Sequence, residues 1–224
     1  MPRKPDRSVL ENDGTRPPVL SLCDRTGNAV RPWWAEAGYE CWTVDLRHPP
    51  GMGTLEDGIR RIGADVTRWC MPPRPFAFVF AWPPCTDLAV SGARWFKHKG
   101  LDALADALRV VAACVRICEA SGAPYLLENP VSTLATYWRK PDHMFDPCDY
   151  AGYLDDPAPE AYTKRTCLWT GGGFVMPEPR RVEPVLGSRM HSLPPSPDRA
   201  DLRATTPLGF ARAVFAANAG SSRR

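Results

Sequence analysis

The chain predicts an α/β protein with a mostly parallel, doubly wound sheet, and three observations carry that prediction. Short apolar runs of strand type alternate with a stretch of helical periodicity. The run Phe76 to Phe80 is apolar at every position, as strands covered on both faces tend to be. Finally, Asp24, Asp45, Cys85 and Glu128 each follow or end a strand-like run, where open α/β sheets bind ligands.

The 224 residues, 44% of them hydrophobic, suffice for one sizeable core. One domain over 18–220 is the expectation, preceded by a disordered tail over 1–17, where charge mixes with Pro and Gly and no apolar period appears. No apolar run approaches the ~20 residues that span a bilayer. The N-terminus also lacks a secretory pattern, so a soluble, cytoplasmic protein is expected. Eight cysteines, most in apolar segments and none in a Cys-x-x-Cys pair, read as reduced thiols. A net charge of +3 permits nucleic-acid binding without requiring it.

In order along the chain, Val19-Leu20-Ser21-Leu22-Cys23 reads as a first strand, residues 31–37 as a short helix and 40–46 as a second strand. A poorly patterned stretch follows. Ala64-Asp65-Val66 then reads as the end of a short strand, and 76–80 as a buried one. Leu101, Leu104, Leu108, Val111, Val115 and Cys118 recur every three or four residues, an amphipathic helix that stops at Ser121-Gly122. Residues 125–127 form the next strand, and Thr166-Cys167-Leu168-Trp169 another, followed by a turn at Gly171-Gly172-Gly173. The region 141–205 is loop-rich. Thr206-Pro207, a threonine cap with proline in the first turn, opens a last helix that runs to Asn218.

The residues with chemical promise are Cys85, after Pro83-Pro84, and Glu128, in Glu128-Asn129-Pro130. Carbon 5 of cytosine is a poor nucleophile, and adding a thiolate at carbon 6 breaks the aromaticity that makes it so. A carboxylic acid in an apolar pocket can then hold N3 and neutralise the charge that develops in the ring. Taken alone, Cys85 reads as packing, Glu128 as a cap of the following turn, and Lys164-Arg165 as an exposed basic pair. Their occurrence together, in one order on an alternating fold, favours a catalytic site. Cys114 and Cys118 read as core residues and Cys148 as a loop thiol, and no metal site is expected.

The chain resembles a small, phage-type member of the DNA (cytosine-5) methyltransferase family. Pro83-Pro84-Cys85 is similar to that family's nucleophile motif, Glu128-Asn129-Pro130 to its Glu-Asn motif, and Lys164-Arg165-Thr166-Cys167-Leu168-Trp169 to the strand whose arginine meets the target base. The resemblance covers most of 19–218. It implies a Rossmann-like class I S-adenosylmethionine-dependent methyltransferase fold, with Cys85, Glu128 and Arg165 catalytic. It also implies that Asp24, Thr26, Gly27 and Asn28 wrap the methionine end of S-adenosylmethionine, that Asp45 binds the ribose hydroxyls with Leu46 at the adenine-stacking position after it, and that Asp65 with Val66 meet the adenine, with Pro83 also among the cofactor-binding residues. The chain departs from the pattern at Arg25 and Asn28 in the first turn, at Thr163, and at Leu208-Gly209-Phe210 in the last helix.

Only about 40 residues separate Arg165 from Thr206, too few for a separate target-recognition domain. Little sequence selectivity is therefore expected, and single-stranded DNA is favoured because flipping a base from it costs little. Arg94-Trp95-Phe96-Lys97-His98-Lys99 interleaves cations with aromatics as a strand-binding loop would, so Arg94, Lys97, Lys99 and Lys164 are the expected nucleic-acid contacts. Two other readings keep the fold: modification of a free nucleotide such as dCMP or transfer of a different group at the same site, and a catalytically silent nucleic-acid-binding module.

Overall fold

The computed structural model describes residues 16–189, 193–194, 196 and 199–220. Seven strands form one sheet: β1 (Val19–Leu22), β2 (Cys41–Glu56), β3 (Ile59–Gly63), β4 (Phe78–Ala81), β5 (Tyr125–Pro130), β6 (His143–Phe145) and β7 (Thr166–Gly171). Their order is β3-β2-β1-β4-β5-β7-β6. β1, β4, β5 and the first part of β2 run parallel, whereas β7 lies antiparallel to both β5 and β6. The helices are α1 (Arg31–Ala37), α2 (Phe96–Ser121), α3 (Leu134–Tyr137), α4 (Arg199–Ala204) and α5 (Leu208–Asn218). The protein is thus an α/β protein with a mixed, mostly parallel seven-strand sheet flanked by helices.

Alternation along the central strands divides their side chains between two cores. Leu20, Leu22, Val79, Ala81 and Leu127 pack on one face with Val111, Cys114 and Cys118 of α2. Val19, Phe78, Phe80 and Leu126 pack on the other with Trp33 of α1 and Phe210 and Val214 of α5. Both faces are covered, which is why these strands read as unbroken apolar runs. In α2 the apolar stripe starts at Leu104; Leu101, expected to belong to it, is exposed beyond a kink at Gly100, whose φ is 76°. Gly38 (φ 65°) ends α1 and Gly122 (φ 63°) ends α2, each in the left-handed conformation that closes a helix.

Several boundaries differ from expectation for local reasons. The patternless stretch after residue 46 contains a hairpin. The second part of β2 turns at Asp57-Gly58, both with positive φ (51° and 76°), and returns antiparallel along β3. The third strand is therefore Ile59–Gly63, and 64–66 lie beyond its end. β4 starts two residues later than expected, at Phe78. Glu128-Asn129-Pro130 is the last part of β5 rather than a turn, and pairs with Leu168, Cys167 and Thr166 of β7. The run from Arg94 to Lys99 is helical, a 3-10 helix over Val90–Trp95 that leads into α2. β6 and α4 were not expected at all.

Residues 1–15 of the predicted tail lie outside the described residues. Arg16 is anchored, donating from Nη1 to the Ala37 carbonyl at 2.5 Å. Among the described residues no helix is long and apolar enough to cross a membrane.

Candidate active site

Parallel strands present their carboxyl ends along one edge of the sheet, and β7, being antiparallel, brings its amino end to that same edge. Cys23-Asp24, Asp45, Trp82 through Cys85, Glu128 and Lys164-Arg165 all collect there.

Ala81 of β4 and Leu127 of β5 are register partners, so Cys85 follows one strand and Glu128 the next. Pro83 and Pro84 have no N–H to extend the ladder, and the chain leaves the sheet at this point. Asn129, fully buried, donates from Nδ2 to the Pro83 carbonyl at 3.1 Å and ties the two exits together. The Cys85 carbonyl then accepts from Leu88 N (3.0 Å) and Ala89 N (2.8 Å), which turns the chain and leaves the half-buried thiol at the edge.

The charges around the thiol define the site. Burial raises the Cys85 thiol above its ordinary value and the Glu128 carboxylate raises it further, while Lys164 and then Arg203 pull it back. Burial likewise raises the Glu128 carboxyl, against the opposing charge of Lys164. A thiol, a carboxyl raised above its ordinary range and a lysine thus share one electrostatic environment. Lys164 Nζ is held by the Arg203 carbonyl at 2.7 Å.

Arg165 is turned elsewhere. Its guanidinium lies 3.6 Å from Asp146 and its side chain is 56% exposed. Register explains the split: Phe145 of β6 pairs with Thr166, so Asp146 comes level with Arg165, whereas Lys164 continues the alternation of Thr166 and Leu168 toward Glu128.

At the same sheet edge lies a polar cavity of about 270 Å³ lined by Cys23, Asp24, Thr26, Asp45, Trp82, Ala204 and Thr206 and edged by Arg25 and Arg47; Cys85 is not among its lining residues, and Trp82, three residues before it, is. Asp24 organises its floor. One oxygen accepts from Thr26 N (3.0 Å), Thr26 Oγ1 (3.1 Å) and Gly27 N (2.8 Å), and the other from Ser21 Oγ (2.8 Å). Ser21 Oγ in turn accepts from Trp82 Nε1 at 3.0 Å, which fixes the indole as a wall. Gly27, at φ 70°, packs so closely that a Cβ would stand 3.0 Å from Ile59 Cδ1. Asn28 closes the turn through N–H donation to Thr26 Oγ1 at 3.2 Å. Residues 203–206 are shared: Arg203 acts on the thiol, and its neighbour Ala204 lines the cavity.

Other expected site residues stand apart from this cavity. Leu46 is 73% exposed and points to solvent. Val66 is buried in the α2-side core. Asp65 is engaged by its own turn, where hydrogen bonds from Thr67 hold its carboxyl below the usual range. Pro83 is buried behind Cys85. Arg94 lies over the Trp95 ring at 5.3 Å, Lys97 is exposed, and Lys99 pairs with Asp87 at 2.6 Å. Cys114, Cys118 and Cys148 are buried, and among the described residues no group of three or more His, Cys, Asp or Glu could hold a metal ion.

Sequence reasoning missed Trp82 and Arg203. The indole is legible as an aromatic at a strand end beside Pro-Pro-Cys, but nothing local marks Arg203. The last helix also begins differently. Thr206 is not its cap; Glu160 reaches across from the loop region and accepts from Leu208 N (2.5 Å) and Gly209 N (2.9 Å). No protein-family model matches this chain, and no curated protein matches it.

Proposed function

We propose that the chain is an S-adenosylmethionine-dependent cytosine C5-methyltransferase that acts on DNA with little sequence selectivity. The observation that carries this reading is the collection of Cys85, Glu128 and Lys164 at one sheet edge, the edge that also holds a polar cavity with an aromatic wall. The strand order supports the finer fold reading: β3-β2-β1-β4-β5 follows the run of a doubly wound nucleotide-binding sheet, with antiparallel β7 inserted before β6.

The cavity suits the donor by residue type. With both Asp24 oxygens engaged by Ser21 and the turn, Asp45 is the carboxylate for ribose hydroxyls, and Trp82 offers a flat apolar face. Leu46, Asp65 and Val66 take no part in this reading.

Cys85, as thiolate, forms a bond to carbon 6, and the displaced ring electrons are accommodated because Glu128 gives its proton to N3. Lys164 favours the thiolate and stands where Arg165 was expected, near the reacting ring. A donor held by the cavity would supply an electrophilic methyl group for carbon 5 and would keep the carbon–sulfur pair on its own sulfur. Water takes the carbon 5 proton, the released pair expels Cys85 from carbon 6 as thiolate, and N3 returns its proton to Glu128. Trapping tests this: DNA containing 5-fluorocytosine should give a stable covalent adduct with wild type and none with Cys85→Ala. Digested DNA should contain 5-methylcytosine by mass spectrometry. Absence of both from single- and double-stranded DNA overturns the reading.

A further inference from the structure

Deepening that reading, and resting on its nucleic-acid substrate, we infer that a groove beside the thiol binds a nucleobase flanking the target cytosine in a single DNA strand. The groove has a volume of about 260 Å³ and is walled by Phe96, Leu101, Leu104 and Tyr137, with Lys97 at its edge. Its one carboxylate, Asp87, is neutralised by Lys99 at 2.6 Å. An apolar slot with a free-standing aromatic and a cationic rim is complementary to a base joined to a phosphate.

Position is the second argument. Lys99 Nζ also donates to the carbonyl of Thr86, the residue after Cys85, at 3.1 Å, and Asp87, two residues after Cys85, lines the groove. The segment after Cys85 is stitched to the segment after Glu128: Val90 N donates to Val131 O (3.1 Å), and Thr133 N to Leu88 O (3.0 Å). The walls therefore descend from the same two strands that carry the site. Large apolar side chains stand in water around it, with Leu101 83%, Tyr137 58% and Trp95 53% exposed.

The test is fluorescence anisotropy of the full chain, without donor, with a labelled single-stranded 12-mer that holds one cytosine. A single abasic residue is walked along either side of the cytosine. Wild type should show one flanking position where base removal weakens binding roughly 5- to 100-fold. Tyr137→Ala should weaken the intact strand by a similar factor and abolish that positional penalty. Leu101→Glu, at an exposed position that the core does not use, should do the same while melting as wild type does.

Equal binding of the intact strand by wild type and both variants overturns the groove, as does a penalty that persists in the variants. Methyl transfer is followed in parallel to separate the two ideas. Transfer without a positional penalty overturns the groove alone. A penalty without any modified cytosine supports the groove and overturns the methyltransferase reading. Modification of dCMP with no strand binding overturns both the groove and the DNA substrate.

Discussion

Lys164 Nζ donates to the backbone carbonyl of Arg203 at 2.7 Å and so joins the amino end of β7 to α4, whose last residue, Ala204, lines the polar cavity. One hydrogen bond serves two purposes: it holds a cation near Cys85 and Glu128, and it seats the 203–206 segment over the cavity.

Replacing Lys164 by Met should raise the pH midpoint of Cys85 alkylation by iodoacetamide, because the positive charge that opposes burial is gone. Methyl transfer should fall by roughly 10²-fold. Lys164→Arg should return the midpoint to near wild type, and Arg165→Met should leave it unmoved, since Arg165 pairs with Asp146. A midpoint shifted by Arg165→Met and not by Lys164→Met contradicts the assignment.

Glu128→Gln should abolish methyl transfer and yet stabilise the fold at alkaline pH. The folded carboxyl is raised above its ordinary value of 4.5, so the folded state favours the proton and loses stability as pH rises through the raised value. Glutamine carries no charge and escapes that loss. Thermal melting should show a gain of about 2 °C or more at pH 8 that disappears at pH 4, below the unfolded value. A gain equal at both values would mean that burial of the carboxylate is not its source.

Glu160 accepts two N–H groups at the start of α5, and burial raises its carboxyl while those bonds lower it. Glu160→Gln offers one acceptor where two are needed and turns an NH₂ toward a buried donor. The expected loss is about 1–3 kcal/mol in urea denaturation at neutral pH. An unchanged midpoint would show that water satisfies the helix end.

Gly58 sits at φ 76° in the hairpin turn, and a Cβ there would meet Trp34 Nε1 at 1.9 Å. Gly58→Ala must shift that indole as well as bear the left-handed backbone, and should lose about 1–3 kcal/mol with the m-value retained. Gly51→Ala is the control. It shares a positive φ, 113°, but nothing stands within 4 Å of its Cβ, so its loss should be the backbone part alone.

Much of the alternating core was legible because burial on both faces writes itself as apolar runs, as in Phe78–Ala81, and as a three-to-four-residue stripe, as in α2 from Leu104 to Cys118. The hairpin at Asp57-Gly58 was not read, although an Asp-Gly pair is a turn signal, because the prolines and glycines before it obscured the strand. β6 escaped because its three residues pair only with an edge of β7 and carry no period of their own. The start of α5 escaped because its capping carboxylate lies 48 residues away in sequence.

By itself the sequence determined where the central apolar runs lie, and with them the region that carries the thiol, the carboxyl and the acidic cavity residues, because burial on both faces is written locally, although the ends of β2, β3 and β5 were not. Only the tertiary structure decided which neighbour faces which. Antiparallel β7 set Arg165 against Asp146 and left the charge of Lys164 to act on Glu128, and packing put the charge of Arg203 within influence of the thiol. The reason is physical: the direction in which a side chain points past a strand end depends on register with another strand and on long-range contacts, and adjacent residues such as Lys164 and Arg165 carry no local signal of that choice.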